Sequence, residues 1–178
     1  LSNGTYNLYA SVTDGDGVTS TTSVRTFTVS AEVPLGISSA TNKVFTIADS
    51  PQSPDTITIT DNNNTASITA ANDLRIGIAT STVDMRWLTT VTSATIGGTA
   101  SGKVSNSLTY EGNGSVLVIP VNTNFSAGDT LTISGLSFTS FGTVVPATSA
   151  LRLLKDGASD IVTDANDSAT VSIKGKQV

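Results

Sequence analysis

Apolar and polar positions alternate with period two from the first residues of the chain. Tyr6, Leu8, Ala10 and Val12 fall on one side of an extended strand, and Asn7, Tyr9, Ser11 and Thr13 on the other. That pattern predicts a half-buried strand over Tyr6–Thr13. The tetrad Asp14-Gly15-Asp16-Gly17 follows, with the positive-φ residues and side-chain caps of a tight hairpin turn. The return strand, Val18–Ser30, points Val24, Phe27 and Val29 inward, and the odd step from Val24 to Phe27 predicts a bulge near Arg25. A hairpin of two strands is marginally stable in water. Its apolar side therefore calls for cover from other polypeptide.

Ala31–Pro34 reads as a linker, because Pro34 holds the preceding residue extended and stiffens the junction. From Leu35 to Val178 a turn signal recurs about every 8–12 residues, the spacing of an all-β sandwich. The expected strands are Lys43–Ile47, Thr56–Thr60, Ala66–Ala70, Leu74–Ile78, Val83–Leu88, Thr90–Ile96 and Val104–Tyr110. Ser115–Val121, Thr130–Ser134, Leu136–Phe138, Ala150–Leu154 and Ala169–Lys174 complete the set. Val116–Val121 is apolar on both faces, which predicts a central strand ending or bulging at Pro120. No stretch of ten residues carries a helical period. The fold class expected is all-β, with antiparallel immunoglobulin-like β-sandwich modules in tandem. Residues 1–30 would be the last two strands of one module, residues 31–34 the linker, and residues 35–178 a complete second module.

Composition sharpens this picture. Charged residues are only 13% of the chain, against a usual fraction of about 25%. Their place is taken by serine and by 30 threonines, and β-branched threonine suits a pleated, half-exposed surface. The net charge of −5 and nine scattered lysines and arginines exclude the basic stripe that a nucleic-acid partner needs. No apolar run approaches the ~18 residues that span a bilayer as a helix. With no cysteine there is neither a disulfide framework nor thiolate chemistry, and with no histidine most nucleophilic triads are lost. Such a composition is compatible with an extracellular or cell-surface location.

The opening Leu1-Ser2-Asn3-Gly4-Thr5-Tyr6, followed by Leu8, Ala10 and Val12, resembles the L-x-x-G-x-Y lead-in to the penultimate strand of bacterial immunoglobulin-like domains. The T-D-x-D-G turn at Thr13–Gly17 is also frequent in that family. The likeness covers residues 1–30. It implies a tyrosine corner at Tyr6, and it implies that the other strands of that domain lie outside residues 1–178. Phe125 and Gly128–Leu136 resemble, more loosely, segments of repeat-bearing surface-layer or adhesin proteins.

Candidate chemistry is sparse. Asp14 and Asp16 offer hard oxygen ligands to calcium, but a capped hairpin turn explains them as well. Asp164 and Asp167, in the acidic segment with Asp156, Asp160 and Asn166, are the other calcium candidates. A calcium-binding EF-hand loop counted from Asp164 fails, because its sixth and twelfth positions fall on Ala169 and Gly175. A solvated loop is the alternative there, and Asp61 with Asn62, Asn63 and Asn64 invites the same two readings. No other cofactor is expected. Glu32 and Glu111 are the only glutamates, and nothing pairs any two of the twelve aspartates across a cleft, so no enzymatic activity is expected. Trp87, Tyr9 and Tyr110 could stack on sugar rings, although Trp87 shares a face with Val83 and Met85 and reads as core. Five Asn-x-Ser/Thr sequons, at Asn3, Asn63, Asn113, Asn124 and Asn166, barely exceed chance for this composition.

These features point to a structural module of an extracellular bacterial surface protein, such as a surface layer, stalk or filament subunit. Its partners would be neighbouring domains or identical subunits, completing Tyr6–Ser30 by strand complementation. No nucleic acid and no membrane insertion by this segment are expected. The alternative is an adhesin or carbohydrate-binding module that recognises a ligand through loops at one sandwich end. An accessory domain of a secreted hydrolase is a more distant third.

Overall fold

The structure is a computed structural model describing residues 4–21, 24–29, 35–47, 51–62, 64–78, 85–141, 145–154 and 165–174. The chain divides into two compact units, Leu1–Glu32 and Val33–Val178. It is all-β: among the described residues the only helical turns are two short 3-10 segments, Ser101–Lys103 and Gly112–Gly114.

In the first unit each anticipated long strand is broken in two. β1 (Gly4–Leu8) pairs antiparallel with β4 (Arg25–Val29), and β2 (Ser11–Thr13) pairs with β3 (Thr19–Thr21). The register explains the break. From Leu8↔Arg25 to Ser11↔Thr21 one strand advances by three residues and the other by four. The two pairs are therefore out of register by one residue; Thr22 and Ser23, beside which the bulge near Arg25 was expected, lie outside the described residues.

The second unit continues with β5 (Gly36–Ser39), β6 (Lys43–Thr46), β7 (Ile57–Thr60), β8 (Leu74–Ile78), β9 (Arg86–Trp87), β10 (Thr95–Gly97) and β11 (Thr109–Glu111). It ends with β12 (Val116–Ile119), β13 (Thr130–Ser134), β14 (Phe138–Thr139), β15 (Val145–Ser149), β16 (Leu151–Leu154), β17 (Ala165–Asn166) and β18 (Val171–Lys174). Two antiparallel sheets form the sandwich, one in the order β10-β13-β7-β5 and the other in the order β11-β12-β8-β16-β17. A three-stranded sheet, β15-β18-β6, and the short pair β14-β9 complete the unit.

Period-two alternation sets the core. On the four-stranded sheet Ile37, Ile57, Ile59, Leu131 and Ile133 are buried, while Ser38, Thr58, Thr60, Thr130, Thr132 and Ser134 line the opposite face. The inner row meets Leu74, Ile76, Leu117, Ile119, Leu151 and Leu153 of the five-stranded sheet in one apolar cluster. β12 is buried along its whole length, as a central strand should be, and it stops just before Pro120. Val116 and Val118 on its second face are buried with Leu154, in register across β8.

Several expected strands differ from the structure. Ala66–Ala70 is a loop, because the backbone N–H groups of Ser67 and Ile68 donate to the Asp61 carboxylate rather than to a neighbouring strand. Val104–Tyr110 holds only the isolated bridges Val104↔Val121 and Ser93↔Ser107 before β11 begins. Three strands lacked an apolar signature in the sequence: β5, β15 and β17.

Candidate interaction surface

The hairpin of the first unit has two chemically distinct faces. On one, cross-strand pairs are hydroxyl or amide. Thr5 faces Thr28, Asn7 faces Thr26 and Thr13 faces Thr19. The Thr26 hydroxyl donates to Asn7 Oδ1 at 3.0 Å, and the Thr13 and Thr19 hydroxyls lie 2.9 Å apart. The other face of β1–β4 carries Tyr6 opposite Phe27, with rings stacked at 5.6 Å, then Leu8 opposite Arg25. The Tyr6 ring also lies alongside Gly4, whose missing side chain leaves that position open.

This apolar face is not buried. Leu8 is 62% exposed, Val12 64%, Val18 64% and Phe27 44%, and Val24, which alternation from Arg25 turns to the other side, is 46% exposed. In the second unit Val44 is the single large apolar side chain, among the described residues, with comparable exposure. Among the described residues β1 and β4 pair only with each other. An exposed apolar face on a two-stranded ribbon is the geometry that accepts added strands.

The acidic candidates are engaged otherwise. Asp14 Oδ1 accepts the backbone N–H groups of Asp16 (3.1 Å) and Val18 (2.9 Å), so it acts as the cap of its turn. Asp167, 4% exposed, accepts the Ser39 N–H (2.9 Å), the Ser39 hydroxyl (2.5 Å) and the Ala169 N–H (2.9 Å). It thereby ties the edge strand β5 to the loop after β17. Asp164 lies outside the described residues, as do Asp156 and Asp160. Asp61 is fully buried; its carboxylate accepts three backbone N–H groups, those of Asn62, Ser67 and Ile68, and the Ser67 hydroxyl. No three Asp, Glu, His or Cys come together among the described residues.

Other polar side chains also serve the scaffold. Lys43 donates to Asp55 at 2.6 Å and Lys103 to Asp129 at 2.7 Å. Each ammonium, followed by the Thr41 hydroxyl for Asp55 and the Ser126 N–H for Asp129, holds its carboxyl below the usual value. The Tyr110 hydroxyl donates to the Val91 carbonyl, and burial pushes its pKa up. Trp87 is 1% exposed, its ring 4.5 Å from that of Phe138, and its Nε1–H donates to the Ile76 carbonyl. Trp87 is thus built into the core, Tyr110 packs half-buried against it, and Tyr9, 61% exposed, is the most open of the three aromatics.

The sequence showed the apolar side of the hairpin, but not that its strands would split. It also missed Asp167 and Asp61 as buried caps, because an aspartate beside asparagine and serine looks alike whether it is solvated or folded inward. The fold and this surface define an all-β sandwich protein with an uncovered amphipathic hairpin. No protein-family model matches the chain, and no curated protein matches it in sequence.

Proposed function

We propose that the chain is a structural module of an extracellular bacterial surface protein, a building block of a surface layer, stalk or filament. In this reading residues 1–30 are the last two strands of one immunoglobulin-like sandwich and residues 35–178 are the next sandwich in tandem. The observation that supports it is the exposure, 44–64%, of the apolar hairpin side chains Leu8, Val12, Val18, Val24 and Phe27 on a ribbon of two strands.

Magnitudes favour one mode of completion. Full burial of a Val, Leu or Phe contributes about 1.5–3 kcal/mol, and roughly half of each side chain remains to be buried, so the five together offer about 5 kcal/mol. Association costs about 4–15 kcal/mol in lost freedom and ordering. Contact with this face alone is therefore too weak to hold a partner. Backbone hydrogen bonds along β1 or β4 must add to it, which means strands of a neighbouring domain or of an identical subunit joining the ribbon. The low charge, the hydroxyl-rich faces and the absence of cysteine suit such a module.

The test is protease treatment of intact cells that produce the protein, read by mass spectrometry. Peptides of the second unit should be released without lysis, and those of the hairpin should be protected until the assembly is dissolved. Release only after lysis would overturn the surface assignment. Saturable micromolar binding of a sugar on a glycan array would favour recognition over architecture.

A further inference from the structure

β6 and β18 are the one parallel pair among the described strands, with Lys43 opposite Val171, Val44 opposite Ser172, Phe45 opposite Ile173 and Thr46 opposite Lys174. Near one end the Lys43 N–H donates to the Thr170 carbonyl at 2.8 Å, and the Thr170 N–H donates to Asn42 Oδ1 at 2.9 Å. At the other end the Ile47 N–H donates to the Lys174 carbonyl at 2.9 Å. β6 comes early in the second unit and β18 late, and on its other side β18 is backed by β15.

We infer that this pair is a force-bearing clamp, which gives the second unit a mechanical function under tension along the polypeptide. Once β5, which precedes β6 and pairs antiparallel with β7, has peeled away, tension pulls β6 back toward its N-terminal end and β18 forward toward its C-terminal end. In a parallel pair those two points lie at opposite ends of the ladder, so the strands are driven past one another along their axes. All the ladder bonds are then strained together. Were the two strands antiparallel, both points would lie at the same end and the bonds would open one after another. Phe45 strengthens the grip from within: it is 6% exposed, and its ring stacks on Phe141 at 5.0 Å and meets the edge of Phe138 at 5.9 Å. Sliding β6 would drag that ring out of the core.

The inference rests on the ladder and not on where the protein resides, so its failure would leave the surface reading to the intact-cell test. The chain has no cysteine, so introduced pairs are unique attachment points for single-molecule pulling on the full 178-residue chain. Ala40, Ser168 and Lys174 are exposed. Ala40→Cys with Lys174→Cys loads the ladder along its axis, whereas Ala40→Cys with Ser168→Cys opens it from one end. The first pair should rupture at a force several-fold higher than the second at the same loading rate; equal forces overturn the inference. A matched pair of proline variants tests the ladder itself. Ile47→Pro deletes the N–H bonded to Lys174 and should lower the axial rupture force. Val44→Pro deletes an N–H that, by alternation with Lys43, points to the open edge, and it should not. Trp87 fluorescence melts establish that each variant is folded before it is pulled. Should a proline variant not fold, the comparison of the two attachment pairs still decides.

Discussion

Replacing Asp61 by alanine should remove a large share of the stability of the second unit. The carboxylate is fully buried and satisfies four donors: the N–H of Asn62 at 2.8 Å, the N–H of Ser67 at 3.0 Å from both oxygens, the Ser67 hydroxyl at 2.6 Å and the N–H of Ile68 at 3.2 Å. Asn62 and the Ser67 hydroxyl can turn to water. The Ser67 and Ile68 amides are fixed beneath the loop, and Ile68 itself is 1% exposed. A buried donor left without an acceptor costs about 1–3 kcal/mol, so the two amides give about 2–6 kcal/mol. A domain of this size is stable by about 5–15 kcal/mol, and each kcal/mol moves its melting temperature by about 2–4 °C. Asp61→Ala should therefore lower the melting temperature by about 4–24 °C. Asp61→Asn keeps one acceptor but turns an NH2 group toward donors, and it should recover little. Trp87 is the sole tryptophan and is buried in this unit, so its fluorescence follows the unfolding directly. A loss under about 2 °C would refute the account of Asp61 as the anchor of this loop.

Leu8→Lys with Phe27→Ser should leave the Trp87-reported stability within about 0.5 kcal/mol, since both side chains are already half in water, while reducing binding of a hydrophobic dye. Loss of the dye signal together with unfolding of the second unit would contradict this. Gly98 sits at φ +87°, where a Cβ would run into the Thr130 carbonyl oxygen, so Gly98→Ala should cost about 2–4 kcal/mol by urea denaturation. Asp55 and Asp129 are held below the ordinary carboxylate value of 3.8. Their contribution is present above that value and is lost as pH falls through their lower folded values. Acid unfolding should accordingly steepen below pH 3.8 and flatten in Asp129→Asn. Chelation with EDTA should leave the melting temperature unchanged, because the Asp14 and Asp167 oxygens already accept N–H groups; a drop of about 10 °C would restore a cation to the structure.

Where one face of a strand is buried and the other half-exposed, alternation located it to the residue, as at Thr130–Ser134. The same logic placed Val116–Ile119 at the centre of its sheet, because a strand covered on both sides has no polar rhythm. Two edge strands gave no such signal. Gly36–Ser39 offers only Ile37 to the core, and Val145–Ser149 contains Pro146, whose missing N–H argues against pairing until one knows the strand lies at an edge. Ala66–Ala70 misled for a different reason. Its composition suits a strand, but a carboxylate at Asp61 captured the backbone amides first. The uncovered hairpin face was legible as an apolar stripe; that nothing within the unit covers it was visible only from the exposures of Leu8 and Phe27.

The outer face of the four-stranded sheet has a physical consequence of its own. Ser38, Thr58, Thr60, Thr130, Thr132 and Ser134 present hydroxyls and methyls without a single formal charge. A surface of that kind adds almost no field of its own, so contact with it strands no charge when water is squeezed out.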